Sequence, residues 1–584
     1  MPRAVQLIPA HVSSARAPKV GAPRLGAPRL GGAGLGGAGR AAARALGLLV
    51  AIGLPLAAQV GPGIGNLTYG EAELFQPVGV LHSANGHGSA LAVSGYLMLV
   101  DKGDSSVEPI AIEFWDLSNP RNPRLAHRLA DARTANILET HSFAVSTSYG
   151  GMHVALQARR GVQIWDVSDP AAPVFESELS LPNIQGVYGS IWWVFWQAPY
   201  LYVAGSSAGL YIARVDDVRN PVYLRTVPPS ALGGLAPSQV FACGNLLILR
   251  QSKEFGFVTL DAEDPEQPTF VQSIPGERGY SSVFAAGKFL TSGGDGGPVQ
   301  MFVHDVTHNG QMSLVGSVGS GFSNGAYGSY QDGFFHTGMS NVYAKIDIAG
   351  MTVVGTATTG IANRDEDFCQ VLGNLAFVGD DHGVGSGLYV HNRQPDRTGP
   401  DVHWVHPAAG ATDVGVSSRI GVSMSDNVDF ASLGPATFTV RPVGGGAIVP
   451  GHYSGQMGLC NFAPSAPLAP GTTYEVTVQG VQDVMGNSGA LFRSTFTTRA
   501  VPSGGATVQR LAAASGKAYA LGTLQSGAPI YIDRTYQYGA VPARLAGSPH
   551  VMTANDDKFG LGASYVTFDL SQSAAVNVLY DERA

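Results

Sequence analysis

Seven short apolar runs in this chain end in aspartate or asparagine at nearly even spacing. They are Phe114-Trp115-Asp116, Ile164-Trp165-Asp166, Val215-Asp216-Asp217, Thr259-Leu260-Asp261, Val303-His304-Asp305, Lys345-Ile346-Asp347 and Val390-His391-Asn392. Successive ends lie 42 to 51 residues apart. A repeat of that length holding several short strands predicts an all-β fold, a seven-bladed β-propeller over residues 70–395. Within each unit a strand such as Leu201-Tyr202-Val203-Ala204 leads through a glycine turn to the run ending in the acid. A proline-containing loop and a last strand such as Val222 to Val227 follow. The prolines stop the strand because they cannot donate to a ladder. Asp116, Asp166, Asp217, Asp261, Asp305 and Asp347 recur in every unit, which suits turn formers and not a single catalytic centre.

The loops Asp116-Leu117-Ser118-Asn119-Pro120-Arg121-Asn122-Pro123 and Asp166-Val167-Ser168-Asp169-Pro170-Ala171-Ala172-Pro173 resemble the LVIVD repeats of bacterial surface propellers. The loops after Asp217 and Asp261 match more loosely, and later units drift further. The resemblance covers roughly 300 residues. It implies a fold and is nearly silent about activity. The last unit lacks its outermost strand, because Asn392 leads directly into Pro395-Asp396-Arg397-Thr398-Gly399-Pro400. Phe75-Gln76-Pro77-Val78-Gly79-Val80-Leu81 has the pattern of the missing strand and is expected to complete it, leaving no edge open.

The chain is 584 residues long, so several domains are expected. Residues 1–58 read as a disordered basic tail followed by a secretion signal. The first 45 residues contain no acid, and an apolar stretch from Ala43 to Ala58 ends in small residues. An upstream-assigned translation start would explain the long tail, and the same stretch would also serve as an uncleaved anchor. No other span is long and apolar enough for a bilayer. The protein is therefore expected to be secreted, extracellular or at the cell surface. A net charge of −8 excludes general nucleic-acid binding. Cys243, Cys369 and Cys460 have no zinc spacing and read as core residues.

Residues 398–499 change pattern. The pieces Pro407-to-Gly410, Leu468-Ala469-Pro470-Gly471-Thr472-Thr473-Tyr474 and Asp483-Val484-Met485-Gly486-Asn487 closely resemble bacterial Ig-like domains of S-layer and other secreted proteins. The resemblance implies a β-sandwich acting as a spacer or adhesive module. Residues 510–584 read as further strands, including Pro529 to Arg534, of a small module that resembles one appended to exported bacterial proteins. It stops after Tyr580-Asp581-Glu582-Arg583 and is expected to be incomplete.

Candidate chemistry is sparse. His87 and His141 hold matched places before the innermost strands of two units, and Asp365 and Asp367 hold the later equivalent. Together they could bind a divalent cation at a funnel mouth, although a polar lining is the commoner role. Asp426, Asn427 and Asp429 could form a calcium loop, although a capped turn is commoner. Calcium is the one cofactor these patterns suggest. Trp192, Trp193 and Trp196 suit packing, or a platform for sugars. No GxSxG, HExxH or phosphate loop occurs. The expected function is a binding or adhesion scaffold for a cell-surface protein or glycan. The alternative is an extracellular polysaccharide hydrolase or lyase with its site in the funnel.

Overall fold

The computed structural model describes residues 61–83, 86–101, 110–184, 191–251, 256–276, 281–292, 300–319, 327–339, 342–358, 368–380, 385–500, 507–539, 541, 545, 547–558, 565–570 and 576. They are all-β, with only 3-10 turns besides the strands. No helix among them is long and apolar enough to cross a membrane. They divide into two compact units, one within residues 53–500 and one within residues 501–584.

Seven antiparallel four-stranded arrays carry the repeat. The first comprises Leu91–Val93, Tyr96–Asp101, Ala111–Asp116 and Arg124–Leu129. The second comprises Ala144–Ser146, His153–Ala158, Gly161–Asp166 and Val174–Ser180. The third comprises Trp193–Gln197, Tyr200–Ala204, Leu210–Arg214 and Val222–Val227. The fourth comprises Gln239–Cys243, Leu246–Arg250, Phe257–Asp261 and Thr269–Ile274. The fifth comprises Ser281–Ala285, Lys288–Ser292, Gln300–Val306 and Met312–Gly319. The sixth comprises Gly328–Gln331, Phe334–Met339, Val342–Asp347 and Thr352–Thr358. The seventh comprises Phe368–Leu372, Leu375–Gly379 and Ser386–Val390, and Pro77–Leu81 adds its fourth strand, as the sequence predicts.

The period is firmer in the backbone than in the side chains. In each of the first six arrays the register slips between the third and fourth strands, at Phe114/Trp115, Ile164/Trp165, Ile212/Ala213, Thr259/Leu260, Val303/His304 and Lys345/Ile346, one or two residues before the acid in all but the third, where Asp217 follows four residues after Ala213. Such a bulge bends and twists the outer edge. Inner strands such as Leu246–Arg250 are buried along their whole length, whereas outer strands such as Arg124–Leu129 are largely exposed. Strands buried on both faces read as continuous apolar runs, because each face is covered by a neighbouring array. The apolar clusters accordingly lie between arrays. Val283 and Leu290 of the fifth pack with Tyr330 and Phe335 of the sixth, and Tyr343 of the sixth packs with Val378 and Tyr389 of the seventh.

Among the described residues, polar contacts connect every neighbouring pair of arrays except the fifth and sixth, which meet through the apolar packing just described. Ser89 N–H donates to the Thr140 carbonyl at 2.7 Å, and Val194 N–H to Ser142 Oγ at 3.0 Å. Gln197 donates to the Gly244 carbonyl at 2.7 Å, and Ser282 Oγ to Gln239 at 2.6 Å. Cys369 N–H donates to the Tyr327 carbonyl at 2.8 Å, and His87 N–H to the Asp380 carbonyl at 2.7 Å. The last of these ties the seventh array to the segment that opens the first.

Residues 402–498 form two facing sheets. Val402–His406, Ile420–Met424, Leu459–Pro464 and Gly451–Gln456 make one, and Ala411–Val414, Phe492–Thr498, Thr473–Val478 and Phe438–Pro442 the other. Phe438, Tyr453, Phe462, Tyr474 and Phe496 fill the space between. The domain is not the detached spacer that the sequence suggests. Its strand Gly451–Gln456 pairs with Ala144–Ser146 through Ser454↔Ser146 and Gly455↔Val145, so the second array continues as an eight-stranded sheet. The hairpin tip is buried among several arrays. Gln456 accepts from Trp193 Nε1 at 2.9 Å and donates to the Phe143 carbonyl at 3.2 Å, while Met457 packs against the third-to-sixth clusters. Asn461 and the buried Arg419 bond Gln197 at 2.9 and 2.8 Å. All three cysteines are free and buried.

In the second unit, Val508–Ala513 pairs with Val566–Leu570, and Ala520–Thr523 with Pro549–Met552. Pro529 to Arg534 is not the expected strand. It makes only isolated bridges, Pro529↔Gln537 and Tyr531↔Thr553. Asp533 instead spends its carboxylate on the Asn555 and Asp556 N–H groups, which shapes a turn.

Candidate functional site

The repeated acids sit at the ends of third strands. Asp116, Asp166, Asp217, Asp261 and Asp347 each accept the N–H two residues on, at 2.8 to 3.0 Å. This local bond favours the turn over further ladder. Asp217 also takes Asn220 Nδ2, and these donors hold its carboxyl below the usual range. Asp305 pairs instead with Lys288.

His87 and His141 occupy separate environments. His87 is fully buried, with Nδ1 3.0 Å from Ser386 Oγ and Nε2 3.3 Å from Glu113. Glu113 also accepts from Trp115 at 2.9 Å and from Arg128 at 3.1 Å, and Arg128 reaches Asp101 at 3.2 Å. A buried carboxylate is tolerable when it is paired and bonded in this way. His141 is also buried, with Nε2 2.9 Å from Glu139. Its ring lies 5.0 Å from Trp192, 5.1 Å from Tyr327 and 5.5 Å from Phe368, aromatics of the third, sixth and seventh repeats. No hydrogen bond, ion pair or ring contact joins His87 to His141 among the described residues. Asp365 and Asp367 lie outside those residues. Trp193 and Trp196 are buried, the latter stacked on Tyr149 at 5.5 Å, and Trp192 lies against His141.

Asp426, Asn427 and Asp429 diverge. Asp426 accepts Gln331 Nε2 at 2.8 Å. Asn427 donates to Ser329 Oγ at 2.8 Å and to the Val371 carbonyl at 3.1 Å. Asp429 caps the turn Phe430–Ser432 by accepting from Ala431 N–H at 3.0 Å. Asp426 converges instead with Asp396 and Asp483, their ligand oxygens all within 4.8 Å of one another. Burial pushes the Asp426 carboxyl well up and Asp483 to about 6, and neighbouring carboxylates add to both shifts. Three carboxylates form an all-oxygen set that a calcium-like cation could use. Asp396 and Asp483 stand in the Pro395-to-Pro400 linker and the Asp483-to-Asn487 turn, which the sequence marks as boundary and turn pieces and not as ligands.

A cleft of about 350 Å³ opens between the fourth repeat, the His308-to-Gly310 turn of the fifth and the Ig-like domain. Leu246, Leu260 and Val271 supply apolar wall, and Asp261, Glu263 and Asp413 supply acid. His308 lies flat on Trp404 at 4.9 Å. Burial lowers the His308 pKa and takes that of His406, which also lines the cleft, to about 4, so His406 is neutral at pH 7. Arg499 spans Asp413 at 2.9 Å and Glu263 at 3.5 Å on the rim. Neutral imidazole, carboxylates and apolar wall together suit a small hydroxylated ligand. The cleft is not legible in the sequence because its walls come from segments far apart in the chain, such as Leu246 and Asp413.

Residues 396–498 match the family of bacterial Ig-like domains. No curated protein sequence matches the chain. Among solved structures, the extracellular domain of a one-component system from B. thetaiotaomicron is similar at 10% identity and a TM-score of 0.38, over 73% of this chain and 58% of its own length. The chain thus spans less than two thirds of that relative. The computationally designed protein Ika8 is similar at 10% identity and a TM-score of 0.36, over 54% of this chain and 99% of its own length. Likeness at these scores carries nothing about function.

Proposed function

We propose that the chain is a secreted or cell-surface binding scaffold, in which a seven-bladed LVIVD-like propeller carries an Ig-like domain and presents the cleft between them to a glycan or a glycosylated surface protein. Seven four-stranded arrays, joined in order by hydrogen bonds or, between the fifth and sixth, by apolar packing, with the last bonded back to the first, support the propeller. The observation that carries the binding role is the cleft itself. Its walls come from two domains that share a sheet, so it is held open by rigid elements and not by loops alone. The Ig-like family match and the export-like N-terminus support an extracellular setting. The test is a glycan array probed with the chain from Gln59 onward, beside the His308→Ala variant. Binding to a restricted set of saccharides, lost in the variant, supports the proposal. Absence of binding to any saccharide and to intact bacterial cells would sink it.

A second reading, an extracellular hydrolase or lyase, draws on the buried Glu139–His141 pair among three aromatics. A carboxylate beside an imidazole is a plausible acid–base pair. Release of new reducing ends from polysaccharide, abolished by Glu139→Gln, would favour it over the scaffold.

A further inference from the structure

The second array places a histidine and two carboxylates at the foot of its outer three strands. His153 opens one strand, lies opposite Asp166 on the next, and Glu176 stands on the outermost. The ligand atoms of the three all lie within 4.8 Å of one another. His153 is 2% exposed, and its Nδ1 is 3.3 Å from the Gly151 carbonyl. A carbonyl can only accept, so Nδ1 is the donor to it, and in the neutral tautomer Nε2 presents its lone pair. That lone pair faces Asp166 Oδ2 across 4.0 Å, too far for a hydrogen bond. An unprotonated nitrogen and a carboxylate oxygen do not attract each other. The remaining atoms of the two acids are already engaged. Asp166 Oδ1 accepts Ser168 N–H at 2.9 Å, and Glu176 Oε2 accepts Arg219 Nε at 2.9 Å. At the equivalent place in the fifth array, Lys288 pairs directly with Asp305. In the second array His153 and Asp166, which hold that place, stay 4.0 Å apart.

We propose that His153 Nε2, Asp166 Oδ2 and Glu176 Oε1 bind one divalent transition-metal ion of the zinc type. A histidine that ligates a metal usually donates its other N–H to a carbonyl or carboxylate, which fixes the tautomer, and the Gly151 carbonyl does this here. Donors about 2.1 Å from one tetrahedral ion lie about 3.4 Å apart, so an approach of about half an ångström lets one ion bridge the His153–Asp166 gap. Side-chain rotation brings in Glu176. One imidazole nitrogen with two carboxylate oxygens suits zinc or its neighbours better than calcium, which takes oxygen alone. Asp166 is partly exposed, so the remaining coordination positions open to water or to a donor group of a ligand.

The test is calorimetric titration of the chelator-treated full chain with zinc and, separately, with calcium, together with the visible spectrum of the cobalt-loaded chain. One equivalent of zinc at this site, weakened about tenfold or more by Asp166→Asn, by Glu176→Gln and by His153→Gln, is expected. The cobalt ligand-field bands should disappear in His153→Gln. Melting curves of the metal-free variants check that each folds. Should a variant fail to fold, X-ray absorption of the zinc-loaded wild type decides, and a first shell without a nitrogen donor overturns the proposal. Failure to take up zinc, or uptake that survives all three substitutions, overturns it equally. Calcium bound at Asp396, Asp426 and Asp483 uses no histidine and leaves these readouts unchanged.

Discussion

Two strands from distant parts of the chain add to arrays built by the repeat, and they do so at opposite kinds of edge. Pro77–Leu81 joins the outer strand position of the seventh array, where the repeat left a vacancy. Gly451–Gln456 joins the first strand of the second array, which already had four strands. The first addition repairs a deficit and the second extends a complete unit. A repeat makes a deficit visible, because every other unit states what should be there. It gives no notice of an extra strand. For the same reason the Ig-like region reads as a spacer in sequence, while its hairpin is buried among the arrays.

Removing Phe75 to Leu81 tests the first strand and should have the largest effect. It strips one ladder and the fully buried Leu81, and it uncovers Tyr343, on which Phe75 packs at 6.5 Å. Loss of the leucine alone is worth about 2–5 kcal/mol. A large fall in melting temperature, or failure to fold, is expected by calorimetry. An unchanged melting temperature would break the analogy between the two strands.

Gly421→Val tests the second joint. A Cβ at Gly421 would come within 2.0 Å of the Gly244 nitrogen and 2.5 Å of the Cys243 carbonyl carbon, both backbone. Neither can yield, so the strand Ile420–Met424 must lift from the fourth array. A loss of about 1–3 kcal/mol is expected, with early proteolytic release of the Ig-like domain. A melting and proteolysis profile unchanged from the wild type would mean that the seam tolerates the change.

A smaller effect should come from acid. The Asp483 carboxyl is raised by burial from 3.8 to about 6, so the folded chain holds its proton more tightly than the unfolded chain does. Its contribution is complete below 3.8 and is lost as pH rises through about 6. The melting temperature of the unit holding both domains should therefore carry a downward component between pH 5 and pH 7. Asp483→Asn should flatten that component while keeping an acceptor for the Met485 and Asn487 N–H groups. Millimolar calcium at pH 7.5 should recover part of the loss. A pH profile identical in wild type and variant would rule Asp483 out as its source.

How much was legible varies by element. The turn acids are local, their partners two residues away, so spacing alone located them. The wrong strand at Pro529 to Arg534 failed because an apolar, β-prone run was claimed by the turn that Asp533 builds with Asn555 and Asp556. Asp426 was singled out beside Asn427 and Asp429 by proximity in sequence, and the fold paired it with Asp396 and Asp483 instead. His153 carries no signal in the sequence, because one histidine opening a strand looks like any other until its ring nitrogens have partners.

By itself the sequence determined the all-β class, the period, the Ig-like segment and the strand that completes the seventh array. Each of these is written in residues close together, or in a pattern repeated often enough to expose a gap. Only the tertiary structure decided which strand extends the second array, which carboxylates meet, and which groups wall the cleft. Those depend on side chains brought together from far apart in the chain, and no local spacing records that distance.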